Sequence, residues 1–160
     1  MKYVNNANRR GRKYHKYNSV IRTEPRPDFW AERFVNSEKI LVIACGALAK
    51  EITALIKINN WKHLQLRYLP AKLHNQPHKI PQNIRKNLIN AKNRFSQIFI
   101  GYADCGTGGQ LDTLLEEFGV KRLPGAHCYE FFCNTQNFSK LIEEEPGSFF
   151  LTDFLVKSFE

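Results

Sequence analysis

Short apolar runs alternate with amphipathic segments along most of the chain. Residues 39–44 form a β-branched run that ends at Cys45-Gly46, and residues 48–59 carry apolar side chains at helical spacing. The same alternation predicts further strands at 64–69, 96–103 and 120–123, and helices at 82–95, 110–118, about 129–144 and 151–160. An apolar strand that leads into a helix through a tight glycine turn is typical of a parallel α/β unit. We therefore expect a three-layer α/β domain with a parallel sheet, Rossmann-like or flavodoxin-like, whose last helix reaches the chain end without a C-cap signal.

The first 38 residues do not share this pattern. They lack a sustained period and contain Pro25 and Pro27, which predicts a mostly flexible arm with a docking segment near Phe29-Trp30, followed by the α/β domain at 39–160. Of the formal net charge of +9, residues 1–20 hold +6, because they contain six Lys and Arg residues and no acid. Such an arm could bind nucleic acid, but it matches no recognisable nucleic-acid-binding fold, so a solvated extension is the favoured reading.

Composition excludes several classes of protein. In 160 residues, 42% are hydrophobic, which is enough for one core and too much for a wholly disordered chain. No run approaches the roughly 18 apolar residues of a membrane-spanning helix. Four cysteines without a preceding secretory signal do not suggest a disulfide scaffold, so we expect a cytoplasmic protein without a membrane partner.

Three cysteines and a histidine directly follow predicted strands. Cys45 follows the first strand, Cys105 the third, and His127 and Cys128 the fourth. Ligands of parallel sheets bind at the carboxyl ends of the strands, so we expect these four side chains along one edge as metal ligands. Thiolates and imidazoles suit zinc, cobalt or an iron–sulfur cluster, and ligands from separate loops leave an open position. The alternative is that the cysteines pack as small hydrophobic residues, the role we assign to Cys133.

Residues 104–109 read Asp-Cys-Gly-Thr-Gly-Gly and precede a predicted helix. Backbone N–H groups of successive glycines at such a place can turn toward a phosphate or carboxylate. The stretch is neither a Walker loop nor a dinucleotide fingerprint, and a plain glycine-rich turn is the alternative. The candidate ligand-binding residues are Gly46, Gly106, Thr107, Gly108 and Gly109.

Two residues of this stretch are also candidate catalytic residues. Cys105 beside a helix start could be a thiolate of low pKa that acts as a nucleophile, with His127 as its partner. Asp104 could transfer protons, although a helix cap suits it as well. His74 lies in the proline-rich loop 70–81, which could fold over the crevice, and is a further candidate for ligand binding.

Five ordered motifs resemble a known family. They are Ile-Leu-Val-Ile-Ala-Cys-Gly-Ala-Leu (40–48), Leu-Pro-Ala-Lys-Leu-His-Asn (69–75), Tyr-Ala-Asp-Cys-Gly-Thr-Gly-Gly (102–109), His-Cys-Tyr-Glu-Phe-Phe (127–132) and Leu-Thr-Asp-Phe-Leu (151–155). Together they resemble the uncharacterised bacterial and archaeal family called domain of unknown function 1638, over about residues 39–160.

The family has no established activity, so the resemblance names no reaction and leaves open whether the chain is an enzyme. Its association with corrinoid-dependent methyl transfer implies one-carbon metabolism, contact with a corrinoid, and corrinoid or methyltransferase proteins as partners. A non-catalytic domain that binds an anionic small molecule or a partner protein is the alternative function.

Overall fold

The computed structural model describes residues 38–158 and contains one parallel sheet with the strand order β2-β1-β3-β4. The strands are β1 (Ile40–Cys45), β2 (Leu64–Leu69), β3 (Gln97–Gly101) and β4 (Lys121–Arg122). The helices are α1 (Ala49–Ile58), α2 (Lys79–Ala91), α3 (Gln110–Phe118), α4 (Thr135–Glu144) and α5 (Asp153–Ser158). Short 3-10 segments occupy Gly46–Leu48, Ala71–Asn75 and Cys128–Phe132. The predicted α/β class with a parallel sheet is confirmed, and the predicted N-terminal arm lies outside the described residues.

Helices cover both faces of the sheet. On one face, Leu41 and Ile43 of β1 and Ile100 of β3 are fully buried, and α2 and α3 pack together above them. On the other face, the Tyr68 hydroxyl of β2 forms hydrogen bonds with the Thr53 hydroxyl and the Ala49 carbonyl of α1. α2 and α3 thus lie on one face of the sheet and α1 on the other, which is the result of right-handed crossovers in a sheet of this strand order.

Two of the differences between the described helices and the predicted ones have a clear physical cause. α2 begins at Lys79, three residues before the predicted start, because Pro81 falls in the first turn, where a missing N–H costs no helical hydrogen bond. The predicted helix at 129–144 is a 3-10 segment followed by α4, because Asn134 caps α4 with its side chain, 2.9 Å from the Asn137 amide. Cys133 lies at this break and is half-buried, so its assignment to the core is wrong.

The strand order places a crevice between β1 and β3. From β1 the chain first moves to β2 on one side and then crosses back to β3 on the other, so the connections after β1 and β3 diverge. In open parallel sheets this switch point, at the carboxyl ends of the strands, is where ligands bind. No helix among residues 38–158 is long and apolar enough to cross a membrane.

Candidate metal centre

Three metal-ligating side chains meet at the carboxyl end of the sheet. One donor atom each of His74, Cys105 and Cys128 lies within 4.8 Å of the other two. The two sulfur atoms are 3.0 Å apart, and both cysteines are free thiols. The three residues come from the connections after β2, β3 and β4, so the group exists only in the folded chain.

The backbone beyond β3 and β4 brings the two cysteines together. The Asp104 amide donates to the Gly125 carbonyl at 3.1 Å, and the Cys105 amide donates to the Ala126 carbonyl at 2.8 Å. These bonds continue the pairing of β3 with the chain that follows β4 and leave Cys128 two residues farther on. Cys105 has a φ of +50°, a left-handed conformation that is uncommon for a residue with a Cβ and recurs at functional sites.

Arg122 holds the turn between β4 and Cys128 in place. Its guanidinium forms two hydrogen bonds with the Asp112 carboxylate, of 2.6 and 2.8 Å, and also donates to the carbonyls of Leu123 and Gly125. Burial alone would lower the pKa of Arg122, but the ion pair with Asp112 outweighs it and raises the pKa. Arg122 thus fixes Gly125 and the adjoining Ala126, whose carbonyl accepts the hydrogen bond from the Cys105 amide.

His74 reaches the two cysteines from the 3-10 segment after β2. Its Nδ1 lies 3.0 Å from the Ala71 carbonyl, an oxygen to which it can donate its proton, which leaves Nε2 as the nitrogen for a metal. A Cβ on Gly46 would lie 2.8 Å from the Leu69 carbonyl, so only glycine lets the chain after β2 pass this close to the end of β1. The structure therefore shows a packing role for Gly46, which we predicted as a ligand-binding residue.

Cys45 lies beside the group without belonging to it. Its sulfur is 3.7 Å from His74 Nδ1 and accepts a hydrogen bond from the Ala47 amide at 3.3 Å. Cys45 is fully buried at the end of β1, whereas His74 is exposed. The thiol thus supports the imidazole from the inner side of the crevice.

Hydrogen bonds within the group shift the pKa values of its members in opposite directions. The pKa of Cys128 is lowered to about 5, chiefly because Cys105 donates a hydrogen bond to its sulfur, with a smaller contribution from His74 and against the opposing effect of burial. The pKa of His74 is raised to about 10 by hydrogen bonding to Cys128 and then to Cys45. The pKa of Cys105 is raised, because its proton is shared with Cys128 and the thiol is buried. The low thiol pKa that we predicted for Cys105 is therefore found at Cys128.

Tyr102 closes the inner side of the crevice, and sequence reasoning missed it. Its ring stacks with that of His74, with centroids 6.2 Å apart and planes 13° from parallel. Its side chain is fully buried, and its hydroxyl has no hydrogen-bond partner among the described residues. Burial raises the pKa of this hydroxyl, and Cys45 raises it further through its charge and a contact with its sulfur, as do the charges of Cys128 and Cys105.

The glycine-rich loop is closed around an internal carboxylate. Asp104 accepts hydrogen bonds from the amides of Gly108 and Gly109 at 3.0 and 2.9 Å, and from the Thr107 hydroxyl. Burial opposes its ionisation, but these hydrogen bonds outweigh it and lower the pKa of Asp104. The carboxylate thus occupies the position that we predicted for a bound anion. Gly106, with a φ of +83°, packs near Pro77.

The structure places His127 outside the metal-ligating group. Its ring lies against those of Tyr129 and Phe138, at centroid distances of 6.2 and 6.4 Å. Its amide, like that of Ala126, donates to the Glu130 carboxylate. His74 therefore occupies the place among the donors that we predicted for His127. The rule that predicts the other ligands applies to His74 too, because it follows the carboxyl end of β2.

Comparison with models of protein families gives a match. A family model described as "Protein of unknown function (DUF1638)" matches residues 68–160, which is more than half of the chain. His74, Cys105 and Cys128 all lie within the matched range, whereas Cys45 and the motif at 40–48 precede it. No curated protein and no solved structure matches.

Proposed function

The chain belongs to the domain of unknown function 1638 family, and we propose that it is a metal-binding protein whose His74, Cys105 and Cys128 hold a zinc ion in a site of the catalytic type. One observation carries this proposal: the three donor atoms, from three separate connections of the sheet, lie within 4.8 Å of one another. Two thiolates and one imidazole are a ligand set that zinc accepts in enzymes.

The spacing of the donors suits a tetrahedral ion. With bonds of about 2.3 Å to sulfur and about 2.0 Å to nitrogen, two ligands of one zinc ion lie roughly 3.5–3.8 Å apart. The sulfur atoms of Cys105 and Cys128 are 3.0 Å apart, so they need to separate by less than about 1 Å. The Ala71 carbonyl supports this fit, because its hydrogen bond with Nδ1 orients the His74 ring.

Three protein ligands leave the fourth position of the ion open. Cys105 and Cys128 are only 7% and 9% exposed, whereas His74 faces solvent. A small molecule can therefore approach past His74 while the sulfur atoms stay shielded from water. Structural zinc sites fill all four positions with protein ligands, and catalytic sites keep one for water or substrate.

The experiment is zinc titration of the full chain, purified anaerobically without an affinity tag, against a competing chelator. We expect one equivalent of zinc in the unmodified chain. We expect losses of affinity above about a hundredfold in each of C105S, C128S and H74Q, because removal of a direct ligand costs more than removal of a group that only orients a ligand.

Two matched controls separate this site from other arrangements. C133S removes the cysteine outside the group, and H127Q removes the histidine that we predicted as a ligand; both variants should keep zinc affinity. C45A should lose about 10–100-fold, less than any of the three ligand variants, as expected of a residue that supports a ligand without binding the ion. A chain that takes up less than a tenth of an equivalent, or a C133S variant as weak as C105S, would refute the proposal.

The finer sequence expectation, corrinoid-linked one-carbon metabolism, depends on the family resemblance and stays a prediction, as do corrinoid or methyltransferase partners. An iron–sulfur cluster would need further ligands beyond the three donors of this group. The alternative of anion capture by the glycine loop loses support, because Asp104 already accepts from the amides of Gly108 and Gly109. Nucleic-acid binding by the arm concerns residues outside the described part of the chain.

A further inference from the structure

Charge is divided unevenly along the chain that forms the α/β domain. Residues 52–103, from the middle of α1 to just beyond β3, contain nine Lys and Arg residues and no Asp or Glu. Residues 104–160, which include α3 and β4, contain ten acidic and four basic residues. A region of a single sign attracts partners of the opposite charge, so the basic part of the domain is a candidate interaction surface.

The fold gathers several of these cations at the amino ends of three neighbouring strands. The Ile40 amide at the start of β1 donates to the His63 carbonyl before β2 at 3.0 Å. The Ser96 amide before β3 donates to the Lys39 carbonyl at 3.1 Å. Three segments therefore lie side by side, at the opposite end of the strands from the metal-ligating group. Together they are the amino-end surface, formed by residues 57–63, 38–39 and 92–96.

The amino-end surface presents exposed cations. Four of them take part in no ion pair among residues 38–158, namely Lys57, Lys62, Lys92 and Arg94. Glu38 is the only acidic residue in the three segments. The chain that precedes β1 joins the domain at this same end, and its first 20 residues carry a further +6. The surface therefore has the charge to bind a polyanion.

An aromatic side chain lies beside these cations on a fixed turn. Trp61, next to Lys62, is 42% exposed. Its amide donates to the Ile56 carbonyl at 3.1 Å, and its carbonyl accepts from the Leu64 amide at 3.2 Å, so its backbone is held on both sides. An exposed indole among cations is the combination that binds single strands, because unpaired bases stack on the ring while the cations contact phosphates.

We propose that the amino-end surface binds single-stranded nucleic acid, with Trp61 stacked on a base and with Lys62 and Arg94 in contact with phosphates. This function is separate from the proposed zinc site. Lys62 and Arg94 precede β2 and β3, the two strands on either side of β1, which are roughly 10 Å apart. A strand that crosses from one turn to the other can contact both side chains.

An anionic membrane attracts the same charges, but the arrangement of the cations favours nucleic acid. Peripheral binding to a membrane typically uses one amphipathic helix with basic residues along its polar face. At the amino-end surface the cations come from separate turns of the sheet, and the exposed ring lies on one of these turns.

The test is fluorescence anisotropy of a labelled single strand of about 20 uridine nucleotides, mixed with the full chain at about 50 to 200 mM salt. We expect binding that weakens as the salt concentration rises. K62A/R94A should reduce the slope of log affinity against log salt by about 1.4, because each phosphate contact of a single strand contributes about 0.7. K140A/K157A removes the same charge from two exposed lysines outside the surface and should leave the slope unchanged.

Substitutions of the aromatic ring test the stacking. W61A should bind the strand about fivefold more weakly or worse, because a stacked base is lost, and W61F should recover most of the affinity. F132A removes an aromatic side chain that is 53% exposed elsewhere in the domain, and it should bind like the unmodified chain. Circular dichroism checks that each variant is folded, and K62A/R94A tests the proposal even where W61A does not fold.

Several results would overturn the inference. They are a full chain that does not bind the strand at about 50 mM salt, equal slopes for K62A/R94A and K140A/K157A, and a folded W61A variant that binds like F132A. Binding to vesicles of anionic phospholipid by a chain that ignores the strand would assign the surface to a membrane instead and would also overturn it. None of these results bears on the zinc site, which the metal titration tests separately.

Discussion

Substitution of Asp104 by asparagine tests how the glycine-rich loop is held together. The carboxylate accepts three hydrogen bonds, from the amides of Gly108 and Gly109 and from the Thr107 hydroxyl. An asparagine keeps one acceptor oxygen, turns an NH₂ group toward one of these donors, and removes the charge that strengthens the remaining bonds. At about 1.5–3 kcal/mol for a hydrogen bond to a charged group, we expect D104N to lose about 3 kcal/mol of unfolding free energy. For a chain of this size, that corresponds to roughly 6–12 °C in unfolding temperature.

The same reasoning predicts how this loss depends on pH. The pKa of Asp104 is lower in the folded chain than in the unfolded one, where it is about 3.9. The carboxylate therefore contributes its full stability above about pH 4, and the contribution is lost as the pH falls through the folded pKa. The difference between the unmodified chain and D104N should be constant near neutral pH and shrink in acid.

Urea unfolding of the metal-free, reduced chain between pH 3 and 7 measures both effects. D153N is the matched control, because Asp153 is an exposed aspartate whose only described ion pair is with Lys50. Loss of this ion pair should lower the free energy of unfolding by less than about 1 kcal/mol. A D104N variant within 0.5 kcal/mol of the unmodified chain at pH 7, or a difference that does not shrink in acid, would refute this account of the loop.

Two further predictions concern the approach to Cys128 and its sulfur. G125A should lose about 3 kcal/mol of stability in urea and bind zinc more weakly, because Gly125 has a φ of +114° and a Cβ there would lie 2.7 Å from the Glu130 carboxylate. G108A, also at positive φ but with open space around it, should lose less. Hydrogen peroxide should join Cys105 and Cys128 in the metal-free chain, each disulfide releasing two water molecules, and zinc should slow this reaction at least about tenfold by holding both sulfur atoms. Mass spectrometry of the digested chain checks this bond, and a preferred attack at Cys133 would contradict it.

Local patterns predict the elements whose signals lie within one segment. The span of α3 is found as predicted, because Gly109 and Gly119 flank a strictly amphipathic run and both take left-handed conformations. The strand at 64–69 is likewise found as β2. The break before α4 was not predicted, because the side chain of Asn134 competes with the apolar run around it by capping the next helix.

Only some of the ligand residues were predicted from the sequence, because the conformation of each loop decides where its side chains point. The rule that ligands gather at the carboxyl ends of strands identifies Cys105 and Cys128 as candidates from the sequence. It does not say which way a side chain turns within a loop. His127 turns toward Tyr129 and Phe138, and its backbone amide donates to the Glu130 carboxylate. These contacts form only in the folded chain.

Three unfavourable features coincide at the metal-ligating group. Cys105 adopts a left-handed backbone conformation, its sulfur lies only 3.0 Å from that of Cys128 with no disulfide between them, and the buried Tyr102 hydroxyl has no well-formed hydrogen bond among the described residues. Elsewhere in the described fold, such features are scattered singly, as at Asn60 and Asn93, which have positive φ angles in turns. A zinc ion would separate the two sulfur atoms and bind both of them as thiolates. Features that cost stability cluster mainly at functional sites. Their coincidence here therefore supports one occupied site better than three independent defects.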